Sequence, residues 1–153
     1  MPLLVLSSLL VLAAGAAQGQ TVDKKTLSFE AAARMAAAAE ADARARGLTV
    51  VVVVVDDGGH VILLHRMNGA QVASVDVGIG KARTAAIFRR PSRVFEEQVK
   101  NGRVAALALP GATALIGGVP VTVGGQVVGA IGVSGDAPDI DEAIALAGAK
   151  ALQ

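Results

Sequence analysis

The sequence predicts an α/β domain of the α+β type: an antiparallel sheet of four to five strands packed between helices. Three observations lead there. Two hairpin signals are present, Thr49–Arg66 around Asp56-Asp57-Gly58-Gly59, and Val119–Ser134 around Gly124-Gly125. Thr49–Val55 is a valine run without alternation, which marks a strand covered on both faces. Alanine-rich helical stretches stand at both ends and in the middle, so helices are available to cover the sheet.

The first twenty residues carry no charge, and Leu3–Ala14 is an apolar run too short to span a bilayer. Ala17-Gln18-Gly19 places small residues where a signal peptidase cuts, although the usual N-terminal cation is missing. The expected organisation is a signal peptide over 1–19, a short leader over 20–27 and a single domain over 28–153, in a periplasmic or secreted protein with no membrane span in the mature chain. Cleavage leaves about 134 residues, one domain's worth. There is no cysteine, which excludes disulfides and thiolate chemistry. The net charge of +1 is interspersed, which excludes the basic excess of a nucleic-acid binder. Three phenylalanines are the only aromatics, so the core must be aliphatic, and flat alanine and glycine surfaces favour a homo-oligomer.

Ser28 is a suitable N-cap for a helix over Phe29–Arg46, with Phe29, Ala32, Ala36 and Ala39 on one stripe, Glu40, Asp42 and Arg44 towards the other side, and Gly47 as its stop. The Thr49–Val55 strand turns through Asp56–Gly59 into Val61–Arg66. A helix is expected over Gln71–Arg90, weakened by Gly78 and Gly80 and ended by Pro91. Ser92 can cap a helix over Arg93–Lys100. Val104–Ile116 reads as a short strand or irregular segment. Val119–Val123 and Gln126–Ser134 form the second hairpin, with Gly129, Ile131 and Val133 on one face and Val128, Ala130 and Gly132 on the other. Asp136–Leu152 closes the chain as a helix, with Pro138 in its first turn.

These segments resemble the GlcG/HbpS family, which also includes the C-terminal domain of PduO-type proteins. The resemblance is carried by Asp56–His60, Arg66–Ala70, Lys81–Ala86, Gly117–Val121 and Val128–Gly135, with Asn101-Gly102-Arg103 and Asp141-Glu142 in support. The Arg89–Arg103 segment is most similar to the GlcG branch. The resemblance implies an antiparallel sheet between helices, assembly into homo-oligomers, and binding of haem or a related tetrapyrrole, linked in exported members to redox or haem sensing through a partner.

The first hairpin holds both histidines of the chain, so any neutral nitrogen base must come from it. His60 and His65 are the candidate ligands for haem iron or a divalent cation. The bland alternative for His60 is a turn histidine bonded to Asp56 or Asp57. His65 and Met67 share a face, which prevents them from being opposite axial ligands of one iron, and Arg66 points the other way. Arg66, Lys81 and Arg83 are candidate cations for haem propionates or a small carboxylate, with Thr84 as a hydroxyl donor. The alternative is that Lys81 or Arg83 pairs with Asp56, Asp57 or Asp76 and ties helix to sheet. Arg89, Arg90 and Arg93 form a basic cluster answered by Glu96 and Glu97, a solvated junction or an inter-subunit seam. No phosphate loop or nucleophile elbow is present. The expected function is a haem-binding protein rather than an enzyme. Two alternatives stand: an enzyme or accessory protein for a small hydroxy or keto acid, with His60 as general base, and a ligand-free oligomeric scaffold.

Overall fold

The computed structural model describes Gly19 and residues 21–152. Apart from Gly19, the expected signal peptide lies outside the described residues. The elements are α1 (Phe29–Ala45), β1 (Val51–Asp56), β2 (Val61–Arg66), α2 (Ser74–Ile87), α3 (Arg93–Lys100), a 3₁₀ turn (Val104–Ala108), β3 (Gly118–Val123), β4 (Gln126–Ser134) and α4 (Pro138–Lys150). The strands form one antiparallel sheet in the order β2-β1-β4-β3.

The valine run explains the layering. Val50, Val52 and Val54 pack under α1 and α4 with Met35, Ile131 and Ile144, whereas Val51, Val53 and Val55 pack under α2 with Ala82, Ala85 and Ala86. A strand buried on both faces cannot alternate apolar with polar. Glycine sets how closely α2 approaches. A Cβ on Gly132 of β4 would lie 2.5 Å from the Gly78 carbonyl oxygen and 2.6 Å from the Ala82 nitrogen. Helix and strand backbones therefore touch, and no side chain fits between them.

Of the two readings of Val104–Ile116, the irregular one holds: Val104–Ala108 is a 3₁₀ turn and residues 109–117 hold no strand, so the sheet has four strands, within the expected four to five. The Pro110-Gly111 break explains this, and nearby N–H groups bond within turns or to side chains instead of to a strand, as those of Ala112, Thr113 and Ile116 do. Other expectations are corrected. The middle helix is shorter than Gln71–Arg90: it begins at Ser74 and ends with Phe88 as cap, after which Arg89 turns left-handed with φ of 54°. The closing helix covers Pro138–Lys150 rather than Asp136–Leu152. Val128 lies in the α1/α4 core with Ile131 and Val133, because a register shift at Val121/Thr122 breaks the strict alternation. Ser28 caps α1 as expected, accepting from the Ala31 N–H at 3.2 Å. Ser92 does not cap α3: its hydroxyl accepts the Gly118 N–H at 2.8 Å, pinning the start of β3.

Candidate functional site

The six candidate side chains do not form one cluster. They separate into two ends of the β1–β2 hairpin and a buried pair on α2.

At the turn end, Asp56 organises the loop. One of its carboxylate oxygens accepts from the Gly58 N–H at 2.8 Å and the His60 N–H at 2.9 Å. The His60 ring lies over this turn with Nδ1 3.4 Å from the same oxygen, and its side chain is 81% exposed. This is the geometry of a turn histidine. Asp57 pairs with Lys24 of the leader at 2.6 Å, and the hydrogen bond from Lys24 lowers the Asp57 carboxyl from its ordinary value. Arg83 is exposed and runs under the turn: a Cβ on Gly59 would lie 2.8 Å from its Cγ. Arg83 has no ion-pair partner among the described residues, so its expected pairing with Asp56, Asp57 or Asp76 is not found.

Lys81 and Thr84 share a buried face of α2 and are already engaged. The Lys81 ammonium donates to Asp141 of α4 at 2.7 Å and to the Val133 carbonyl at 3.0 Å. Its partner is therefore Asp141, not Asp56, Asp57 or Asp76, and both charges are almost entirely shielded from water. Burial pushes the Asp141 carboxyl above its ordinary range, with the bond from Lys81 pulling against that. Thr84 donates to the Gly80 carbonyl at 2.7 Å and accepts the Thr113 N–H at 2.7 Å, pinning the 109–117 segment to α2. Neither side chain offers a free polar atom to a ligand at an accessible surface. The basic cluster is also redistributed: Arg93 reaches Glu142 and Asp139 of α4 at 2.5 Å each, and Arg90 lies over the Phe95 ring. Glu97 is a weaker partner at 3.6 Å, and Glu96 pairs with Lys100.

The other end of β2 carries the richer arrangement. His65 is in register with Val52, which faces α1, and Arg66 with Val51, which faces α2. Because β2 is an edge strand, both side chains still border one groove of about 430 Å3, together with Glu40, Arg44, Thr49, Leu64, Met67 and Asn68. His65 Nδ1 is hydrogen-bonded to Glu40 of α1, and the other Glu40 oxygen accepts from Arg44 at 2.8 Å. Burial alone would raise the Glu40 carboxyl, but the hydrogen bonds from Arg44 and His65 outweigh it and hold the carboxyl below its ordinary value. A carboxylate bonded to one ring nitrogen fixes ring orientation and turns the other nitrogen outward, the arrangement typical behind histidine ligands. Arg66 is exposed and has no ion-pair partner among the described residues. The Met67 sulfur is occupied in the core, accepting the Val50 N–H at 3.5 Å, which removes it as a ligand.

His60 and His65 are five positions apart on an extended strand, roughly 16 Å at strand rise. They cannot bind one metal within a single chain. No cluster of three or more His, Cys, Asp or Glu side chains suited to a metal ion is found among the described residues. A haem iron needs only one protein nitrogen, and His65 borders a groove that Arg44 and Arg66 also line. Glu40 and Arg44 were not singled out in the sequence. Their four-residue spacing on the polar side of α1 is visible there, but nothing local says that β2 docks beside them.

Comparison with known proteins gives these features a context. The model of the HbpS-like family, described as haem degrading protein HbpS-like, matches residues 27–150. The chain belongs to this family. Among HbpS-like relatives, the Escherichia coli K12 protein GlcG is 42% identical over 111 residues, covering 72% of this chain and 83% of GlcG. The crystal structure of a Streptomyces reticuli HbpS double mutant superposes with TM-score 0.82 at 34% identity, covering 96% of this chain and 99% of that one. A PduOC:heme complex superposes with TM-score 0.75 at 25% identity, covering 82% and 94%. The four-stranded antiparallel sheet between helices is thus the HbpS-like fold.

Proposed function

We propose that this chain binds haem at the β2–α1 groove, with His65 Nε2 as the nitrogen ligand. The observation that carries the reading is the Glu40–His65 bond, which holds the ring by Nδ1 in a groove bordered by Arg44 and Arg66. Family membership and the haem-bound PduOC relative support it. Arg66 is the cation best placed for a propionate, because Arg44 already serves Glu40. Bound haem would supply a redox-active iron at the protein's edge. The chain's own part is to orient the imidazole, to neutralise carboxylates, and to leave the macrocycle largely accessible, as suits a carrier or sensor more than a closed catalytic pocket.

Two finer parts of the reading rest on the sequence. Export is supported by the apolar 3–14 segment followed by Ala17-Gln18-Gly19. Self-association is supported by exposed Val104, Leu107 and Leu115. A role in redox or haem sensing follows from the family resemblance. The groove's polar lining also favours a second reading, capture of a small hydroxy or keto acid by Arg66.

The test is a Soret titration of the purified protein beside His65→Ala, His60→Ala and Glu40→Gln. His65→Ala should weaken haem binding at least about tenfold and shift the Soret band, with Glu40→Gln intermediate and His60→Ala unchanged. A free-haem spectrum with the unaltered protein, or loss through His60→Ala alone, refutes the assignment. Thermal stabilisation by glycolate with none by haem selects the second reading.

A further inference from the structure

We infer that the leader and the β3–β4 hairpin form a binding site for a long-chain alkyl carboxylate, separate from the His65 groove. Two cavities meet there. One is a trough of about 550 Å3 with a mainly apolar wall built by Leu27, Ala31, Val123, Val128 and Leu152. The other is a cleft of about 600 Å3 bordered by Asp23, Asp57, Arg89, Thr122 and Gln126. Lys24 and Lys25 line both, so the greasy trough opens onto a cationic wall.

The charges there are unequal in their commitments. Lys24 is held by Asp57. Lys25 and Arg89 have no ion-pair partner among the described residues, and the Lys25 ammonium lies over the hairpin turn, where a Cβ on Gly124 would sit 3.3 Å from it. Arg89 follows the cap of α2 in a left-handed backbone conformation, the position that glycine normally fills. A guanidinium therefore lines the cleft at a backbone position unfavourable to any L-residue. The occupant that fits is an anion with a flexible aliphatic body. The trough is lined by aliphatic groups and no aromatic ring, so it offers hydrocarbon contact without a stacking surface.

Calorimetric titration with octanoate, decanoate and laurate tests this on the purified protein. Affinity should rise about fourfold per added methylene. Lys25→Ala and Arg89→Gly should each weaken laurate about tenfold while leaving dodecanol binding unchanged. Arg89→Gly suits its backbone conformation and should keep the melting temperature. Val123→Glu, at an exposed trough position, should abolish laurate binding and spare haem binding. Affinity independent of chain length, equal binding of laurate and dodecanol, or absence of saturation by ~1 mM would each overturn the inference. So would one-for-one displacement of laurate by haem, which would make the trough haem's own. Tighter competition by a peptide of residues 3–14 would assign the trough to the chain's own segment and overturn it too.

Discussion

The buried pair of Lys81 and Asp141 offers the sharpest test of how this fold is held. Their side chains are 5% and 2% exposed, and the pair joins α2 beneath the sheet to α4 above it across the end of β4. Asp141→Asn keeps an oxygen for the Asp136 N–H, which Asp141 accepts at 3.0 Å, but removes the charge and puts an amide NH2 where an oxygen accepts from Lys81. The Lys81 ammonium then keeps one neutral acceptor, Val133, in a dry site. Stranding a charge in this way costs about 3–5 kcal/mol. For a domain of this size that is a melting-temperature drop of about 10–20 °C. Lys81→Met with Asp141→Asn removes both charges and should return to within about 1 kcal/mol of the unaltered protein. Urea unfolding of the four proteins gives the coupling energy directly. A cost below about 1 kcal/mol for Asp141→Asn, or simple additivity in the double variant, would show that water reaches the pair and would refute the reasoning.

The singles should also differ in pH dependence. Burial already raises the Asp141 carboxyl, so without Lys81 it can neutralise itself by binding a proton. A folded value above the unfolded one means that the folded state holds more protons. The contribution is full at low pH and is lost as pH rises through the raised value. Lys81→Met should therefore be mild in acid and lose about 1.4 kcal/mol per pH unit between the ordinary value and the raised one, above which the carboxylate is charged in both states and the loss is complete.

Three further outcomes follow from the packing and the groove. Gly118→Ala would place a Cβ 2.1 Å from the Lys81 carbonyl oxygen, backbone against backbone, and should cost about 3 kcal/mol or prevent folding; a melting temperature within a few degrees of the original would contradict the close approach. Ser28→Ala removes the α1 cap and should cost about 1 kcal/mol, read as a lower urea midpoint at unchanged slope. Glu40 and Glu96 are held below their ordinary 4.5, so the unfolded state takes up more protons as pH falls, and stability is full above that value and lost through the lower folded ones. Glu40→Gln should flatten this acid limb between pH 5 and 3, and an unchanged limb would mean that the Arg44–Glu40–His65 contacts are open in solution.

The sheet was legible because its signals are local. The Val51–Val55 run declares burial on both faces, and Asp56–Gly59 and Gly124-Gly125 declare turns, whatever the rest of the chain does. Whether a fifth strand forms was harder to read, because Val104–Leu109 is apolar enough for either state and only the absence of a neighbouring strand decides. Partner choice was not legible at all. Lys81 stood out as a cation in a run of glycine and alanine, but Asp141 lies sixty positions away and meets it only after β4 crosses the sheet. Glu40 and His65 likewise meet across twenty-five positions. The geometry that separates a bonded histidine from a loose one is tertiary.

That separation sets the two histidines apart. His60, beside two glycines, is the more exposed ring, and exposure reads as availability in a sequence. The fold makes it the weaker candidate. An imidazole with 81% of its side chain exposed must give up rotational freedom to bind, and its one neighbour is a carboxylate already used by two backbone amides. His65 has met that cost in the folded state, because Glu40 fixes its ring before any ligand arrives and Arg44 keeps Glu40 charged. Preorganisation of this kind shows mainly as slower dissociation. Stopped-flow transfer of haem to a scavenger should therefore show Glu40→Gln raising the off-rate about tenfold with little change in the on-rate. An equal change in both rates would mean that the ring is no better held than that of His60.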